Sequence, residues 1–244
     1  MNHNLGIMDA VHEYFTAYSI SAVDCTVALV GKPYGGLSIL WKKSMHSFVN
    51  IVSFDDSRIL GIDIITRDKI LQVLNIYLPY YSNENYDLYL EYVGKISSII
   101  EYRDHRDFIV LGDFNANVDG VFYSEWEPVC RDYDLSFADV IKLSPYTCTH
   151  INNSSLTASW LYHCLTTQTV FRAIKDLTFD NNYCGSDHFP MRVTLNYGSL
   201  PAFTEREEEE DLGGRNCINW NFENEGSLEM FYGGVVRSVS YTQC

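Results

Sequence analysis

The chain has 244 residues, of which 46% are hydrophobic, and it carries a formal net charge of −15. Such a chain is long enough for one sizeable domain with a hydrophobic core, or for one domain and a tail. The negative charge argues against tight nucleic-acid binding through a broad basic surface, so any such contact is local or bridged by a metal ion.

The N-terminal residues and the cysteines indicate the cellular compartment in which the protein is expected. No apolar stretch is long enough to span a membrane, and residues 1–4 do not resemble a secretory signal, so either the protein is intracellular or its true N-terminus is missing. The seven cysteines are scattered and include no Cys-x-x-Cys pair. We therefore expect reduced thiols in the nucleus or cytoplasm, and neither a zinc site nor a disulfide framework.

Hydrophobic periodicity predicts a helix and then a run of strands in the first half of the chain. The helix covers 9–18, and the predicted strands are 27–30, 37–41, 48–54, 59–65 and 70–78. Turn-forming residues separate these strands at regular spacing, as in Asp-Asp-Ser at 55–57. This pattern is typical of sheets that pack on sheets.

The second half mixes helices with strands. An apolar stripe at helical spacing predicts a helix through 86–100 with Asn83 as its N-cap, and a second helix is predicted at 124–133. The remaining predicted strands are 108–112, 137–141, 147–151, 159–166 and 191–195. Together these elements predict an α/β fold, a four-layer sandwich of two mixed β-sheets flanked by helices.

We expect the folded domain to span residues 1–197. Residues 198–244 contain three basic and nine acidic residues and show no clear periodicity. This composition predicts an acidic tail that is disordered or loosely attached.

The most informative motif follows the apolar run at 108–111, which ends in Gly-Asp-Phe-Asn at 112–115. Side chains alternate along a strand, so Asp113 and Asn115 are expected to point the same way. A carboxylate beside an amide can orient a water molecule and hold an anionic oxygen. Taken alone, such a motif is more often an ordinary Asx turn.

Several motifs together resemble the endonuclease/exonuclease/phosphatase superfamily in order and spacing, over about residues 5–197. They are Asn-Ile-Tyr-Leu-Pro at 75–79, Gly-Asp-Phe-Asn at 112–115 and Gly-Ser-Asp-His-Phe-Pro at 185–190, with a weaker match at 159–163. Within that superfamily, the sequences at 31–41 and 75–80 are most similar to the endonuclease domain of LINE-type (non-LTR) retroelements. The resemblance implies a DNase I-like fold and metal-dependent nicking of DNA.

The resemblance also implies roles for individual residues. Asp113 would orient or deprotonate the attacking water and bind the metal ion, which Asp187 would also support. Asn115 would hold the transition-state oxygens, His188 would donate to a phosphoryl oxygen, and Tyr77 would contact the phosphate through its hydroxyl. The implied ion is Mg²⁺ or Mn²⁺, which suit oxygen ligands; no small-molecule cofactor is implied, and we expect a monomer.

The chain departs from the family pattern in three ways. The family's first strands, with an early Asn and a metal-binding Glu, have no counterpart, and the nearest acid, Glu13, falls within the predicted helix. Tyr162 stands where the family has an Asp that orients the catalytic His, a task for which a phenol is poorly suited. The segment 198–244 matches nothing in the family.

Three interpretations therefore stay open. The chain is an N-terminally truncated, retroelement-derived phosphodiesterase or endonuclease domain that binds metal weakly and has weak or absent activity. Alternatively, it is an active phosphodiesterase in which Glu13 or Asp24 substitutes as metal ligand. In the third interpretation it is a catalytically inactive binding module or a non-functional retroelement remnant, with DNA as the ancestral substrate.

Overall fold

The computed structural model describes residues 14–20, 36–102, 106–152, 154–182 and 186–201, and the backbone of 227–232. Its strands are β1 (Phe15–Ile20), β2 (Leu37–Lys42), β3 (Val49–Val52), β4 (Ile59–Ile65), β5 (Ile70–Tyr77), β6 (Asp107–Asp113), β7 (Leu135–Phe137), β8 (His150–Asn152), β9 (Thr157–Ser159), β10 (Tyr162–Thr167), β11 (Ile174–Phe179), β12 (Met191–Asn196) and β13 (Ser227–Tyr232). Its α-helices are α1 (Tyr86–Tyr102), α2 (Val121–Ser124), α3 (Glu127–Asp132), α4 (Ala138–Lys142) and α5 (Gln168–Ala173).

A six-stranded mixed sheet forms the centre of the fold, in the order β3-β4-β5-β6-β10-β7. Its parallel pair is β5 and β6, which α1 connects, as expected because parallel neighbours need a long crossover. Antiparallel pairing joins β1 to β2, and β11 to β12 to β13. The α/β class with a mixed sheet is therefore confirmed.

Two hydrophobic cores lie on opposite faces of this sheet. One core includes Phe108 and Val110 of β6 and the buried face of α1. The other includes Ile109 and Leu111 of β6, together with residues of β1, β2, β11 and β12. Because alternate side chains of β6 enter different cores, the strand is apolar at every position from 108 to 111, which explains the uninterrupted run in the sequence.

Two predicted elements are wrong in type. Within the helix predicted at 9–18, Phe15–Ile20 is strand β1, since its aromatic and β-branched residues pair with β2 and bury Ala17 and Tyr18. The strand predicted at 137–141 stops at Phe137, and α4 follows. Residues 9–13, including Glu13, and the strand predicted at 27–30 lie outside the described residues, as does Asp24.

Smaller differences concern helix ends and missed elements. The helix predicted at 124–133 is divided into α2 and α3. Ser82, one residue before the predicted cap Asn83, accepts a hydrogen bond from the backbone of Asn85 and caps a 3-10 turn that leads into α1. Helix α5 and strand β11 were not predicted from the sequence, because β11 has exposed residues at positions 175 and 176 that break the alternation.

The segment assigned to an acidic tail contributes one strand to the described structure. Strand β13 pairs antiparallel with β12, from Ser227 opposite Asn196 to Tyr232 opposite Met191. The other residues after 201 lie outside the described residues. The domain boundary near 197 therefore stays a prediction. The pairing of β13 with β12 offers a way to test it.

Candidate functional site

Three side chains form a row where three neighbouring strands of the six-stranded sheet begin or end. Tyr77, the last residue of β5, is paired in register with Asp113, the last residue of β6. Asp113 is in turn paired with Tyr162, the first residue of β10. The strand ends therefore bring together an acid and two phenols from three distant parts of the sequence.

Gly112 allows the backbones of β5 and β6 to approach closely just before Asp113. Its φ is +145°, and a Cβ at this position would lie 2.0 Å from the carbonyl oxygen of Ile76. A side chain is excluded both by this contact and by the backbone conformation. The glycine of the Gly-Asp-Phe-Asn motif thus fixes where the Asp113 carboxylate is presented.

The Asp113 carboxylate is almost completely buried, with 7% of the residue exposed. Burial raises its pKa to about 7, although a hydrogen bond from the backbone N–H of Asn115 and the charge of His163 both act to lower it. A carboxyl group with this pKa is partly ionised at neutral pH. It can therefore accept a proton and return it under the same conditions.

Asn115 lies outside the strand, which ends at Asp113, so strand alternation does not set its direction as predicted. Its φ is +50°, and its backbone N–H donates to Asp113 Oδ1 at 3.0 Å, which is the Asx turn considered from the sequence. Its side-chain Nδ2 donates to the carbonyl oxygen of Leu78 at 2.8 Å. These hydrogen bonds of Asn115 connect the segment after β5 to the segment after β6. The Oδ1 atom of the same amide is a hydrogen-bond acceptor.

His188 stacks on Tyr162, the strand partner of Asp113. The ring centroids are 4.9 Å apart, with an interplanar angle of 26°. Its Nδ1 atom is buried and has no hydrogen-bond partner. Burial and the neighbouring His150 lower the pKa of His188 to about 4, against the opposing effect of Asp187. His188 is therefore neutral at pH 7, and because an unpaired buried N–H is costly, we assign its proton to Nε2.

His150 is a member of this cluster that the sequence did not single out. It forms an isolated β-bridge with His188, and the two ring centroids are 4.5 Å apart. Its Nε2 lies 3.8 Å from Asp187 Oδ2. No motif marks His150 in the sequence, since its place depends on the pairing of two loops that are 38 residues apart.

Asp187 lies at the outer side of the cluster, with its side chain about half exposed. Burial acts to raise its pKa, but its own backbone N–H and the charges of His188 and His150 outweigh that effect and lower it. Asp187 and Asp113 act on the same group, since both charges raise the pKa of the Tyr162 hydroxyl, after burial itself. The two predicted acids are thus neighbours of one phenol.

Arg58 supplies a cation beside the row and was also missed from the sequence. Its Nη1 donates to the carbonyl oxygen of Tyr77 at 3.0 Å, and its guanidinium lies 5.1 Å from the centre of the Tyr77 ring. Burial and Asp113 raise the pKa of the Tyr77 hydroxyl, while Arg58 lowers it. The only sequence signal for Arg58 is its place directly after a turn.

A buried polar network supports the loop that carries the motif. His163 hydrogen-bonds through Nδ1 to Asp139 Oδ2 and through Nε2 to the carbonyl oxygen of Ala116, each at 2.7 Å. Asp139 also accepts from Trp160 Nε1 and from the backbone of Cys164. The α4 turn places Asp139 in the core, which is why the strand predicted at 137–141 does not form.

The described residues do not by themselves make a complete site for Mg²⁺. Within the described parts of the chain, no group of three or more His, Cys, Asp or Glu side chains is placed to hold a metal ion. Asp113 Oδ1 is already used as an acceptor for Asn115. In the same parts of the chain, no helix is both long and apolar enough to cross a membrane.

Comparison with known proteins gives matches by structure. No family model and no curated protein sequence matches the chain. The 3′ phosphatase NExo from Neisseria, bound to product DNA hairpin, is similar with a TM-score of 0.57 and 14% identity, over 80% of this chain and 84% of that one. The endonuclease domain of TRAS1, a telomere-specific non-LTR retrotransposon, is similar with a TM-score of 0.51 and 14% identity, over 72% of this chain and 78% of that one.

A third similar structure is an endonuclease/exonuclease/phosphatase family protein from Leptotrichia buccalis, with a TM-score of 0.54 and 15% identity over 75% of this chain and 72% of that one. Identities this low bear on the fold and not on the chemistry. The chain therefore shares the fold of these three proteins, the DNase I-like fold that its motifs predict.

Proposed function

We propose that this chain is a phosphodiesterase domain of the retroelement endonuclease type, acting on DNA, with an impaired catalytic site. One observation carries the proposal: Tyr162 is the strand partner of Asp113 and stacks on His188, and the buried Nδ1 of His188 has no hydrogen-bond partner. An orienting carboxylate at that position would accept a hydrogen bond from Nδ1 and stabilise the charged imidazole.

The remaining groups support phosphodiester chemistry. Asp113, with its pKa raised to about 7, can accept a proton from an attacking water near neutral pH. His188 can donate through Nε2 to a phosphoryl oxygen, but as a neutral imidazole it offers a weaker hydrogen bond than an imidazolium. The site therefore keeps its base and loses much of its electrostatic stabilisation of the transition state.

A divalent ion, Mg²⁺ or Mn²⁺, would supply further charge stabilisation when bound, and Asp113 and Asp187 are the described residues suited to hold it. Two carboxylates, of which one is half exposed, would bind such an ion weakly. Weak metal binding would add to the effect of the unpartnered His188 and lower the activity further.

Nicking of supercoiled plasmid DNA in Mg²⁺ tests the proposal. We expect the wild-type chain to nick slightly above background, and Asp113→Ala to remove that activity. Activity in the range of an intact endonuclease, with the same loss in Asp113→Ala, would contradict the impairment. Activity that persists in Asp113→Ala would contradict the assignment of the site.

A further inference from the structure

Two exposed tyrosines follow the end of β5, next to the candidate site. Tyr80 is 65% exposed and Tyr81 is 59% exposed. Large aromatic side chains bury well in a core, so a consecutive exposed pair is informative. Neither ring belongs to the hydrophobic cores of the fold.

The backbone of this segment is fixed to the site. The N–H of Leu78 donates to the carbonyl oxygen of Asp113 at 2.8 Å, and the same Leu78 accepts from Asn115 Nδ2. Two residues later, the carbonyl oxygen of Tyr80 accepts from Asn85 Nδ2 at 3.0 Å. Two residues span at most about 7 Å, so the backbone of Tyr80 lies within that distance of Leu78, which is hydrogen-bonded to both Asp113 and Asn115.

The ring of Tyr81 is also held in place. It meets Phe122 of α2 edge-on, with ring centroids 5.0 Å apart and an interplanar angle of 73°. Phe122 is itself buried and stacks on Tyr89 of α1. A ring supported in this way can present its exposed face to a ligand at a low cost in conformational entropy.

Arg58 lies beside the same segment. Its guanidinium touches Tyr77, three residues before Tyr80, and also lies 5.9 Å from the centre of the Tyr92 ring. Among the ion pairs of the described residues, none includes Arg58. Its positive charge is therefore available to an anionic ligand in a chain that is otherwise strongly acidic.

We infer that Arg58, Tyr80 and Tyr81 form a binding surface for an unpaired nucleic-acid strand, with Arg58 on a backbone phosphate and the two rings stacked on bases. Stacking on aromatic rings needs an exposed base face, which a duplex does not offer, and it does not need a broad basic surface. The inference rests on the proposed function for its location and adds that the bases contacted beside the site are unpaired, as in a single strand or a locally opened stretch of supercoiled DNA.

Fluorescence anisotropy with the full chain tests this surface. The probes are a labelled oligothymidylate of about 20 nucleotides and a duplex of the same length, at low salt with a chelator, so that binding is measured without metal or turnover. We expect the single strand to bind more tightly than the duplex. Tyr80→Ala and Tyr81→Ala should each weaken single-strand binding by about fivefold or more. Arg58→Gln should reduce the salt-dependence slope by about 0.7.

Matched controls come from the opposite ends of the strands that form the site. Tyr102 is 90% exposed at the end of α1, before β6 begins, and exposed Arg172 lies in α5, after β10 ends. Tyr102→Ala and Arg172→Gln should bind as the wild type does. Equal or tighter binding of the duplex, or unchanged binding in all three site variants, would contradict the proposed binding surface.

Binding and nicking measurements together distinguish a failure of this binding surface from a failure of the proposed function. If Tyr162→Asp raises DNA nicking while the three variants bind the single strand as the wild type does, only the surface is overturned. If the variants lose binding while Tyr162→Asp gains no nicking, the surface stands and the impaired enzyme does not.

Discussion

At the residue scale, the central contact is the stacking of Tyr162 on His188. The phenol is buried and stacks on the imidazole, and the buried Nδ1 of His188 lacks the hydrogen bond that a carboxylate could accept from it. Burial then favours the neutral imidazole, and the pKa of His188 falls to about 4. In the proposed function, the side chain of Tyr162 impairs the site without changing the fold.

Asp113 provides a prediction on stability. Its folded pKa of about 7 lies above the ordinary value of 3.8, so the folded protein loses stability as pH rises between these two values. Asp113→Asn removes this loss, and we expect the variant to be more stable than the wild type at pH 8 by roughly 2 to 4 kcal/mol. Urea unfolding at pH 4, 6 and 8 measures the difference.

Asp187→Asn is the matched control for that series. The pKa of Asp187 is lowered in the folded protein, so its carboxylate adds stability above its ordinary pKa, and the variant should lose stability at pH 8. A constant difference between wild type and Asp113→Asn from pH 4 to pH 8 would show that Asp113 is not held in a buried, protonation-sensitive state.

At the scale of elements, the close approach of β5 and β6 defines the site edge. Gly112→Ala would place a methyl group against the carbonyl oxygen of Ile76 at a backbone φ of +145°. We expect a loss of roughly 2 to 4 kcal/mol in the free energy of unfolding, because the strands must separate or the backbone must change conformation. Chemical denaturation measures this loss.

Gly94→Ala is the control for Gly112→Ala. Gly94 lies in α1 and has no neighbour within 4 Å of an added Cβ. Because alanine favours a helix over glycine, this variant should be more stable by about 0.5 to 1 kcal/mol. A similar response of the two glycines would mean that the close contact at Gly112 is not present in solution.

Strongly patterned elements could be predicted from the sequence, whereas elements defined by tertiary contacts could not. Strands β4, β5 and β6 and helix α1 carry long apolar runs or a clear helical stripe, so local sequence suffices. Helix α4 forms where Asp139 is needed in the core to bind His163 and Trp160, which no periodicity reveals. Strand β1 is defined by its pairing with β2.

The same distinction holds for the site. The motifs identify Tyr77, Asp113, Asn115, Asp187 and His188 as candidates, because each stands at a fixed place in a short pattern. His150 and Arg58 stand in no motif, and they join the cluster through a β-bridge and a cation–π contact. Tyr162 was visible from the sequence only as a departure from the family pattern, and its stacking on His188 gives that departure a physical effect.

At the scale of the whole molecule, the extent of the domain is the open structural question. Strand β12 lies between β11 and β13, so its backbone amides alternate between two neighbours. We expect hydrogen exchange of the full chain to show protection of successive amides in β12. Fast exchange of every second amide, as at an exposed sheet edge, would mean that β13 does not pair and that residues after 197 are a tail.

The most direct test of the central claim is the nicking activity of Tyr162→Asp in Mg²⁺. A carboxylate opposite Asp113 and beside His188 would give Nδ1 its missing partner, and we predict activity about 10- to 100-fold above wild type. Tyr162→Phe should remain at the wild-type level, and adding Asp113→Ala to Tyr162→Asp should abolish the gain. With all variants folded by circular dichroism, no gain in Tyr162→Asp would contradict the claim that Tyr162 impairs the site.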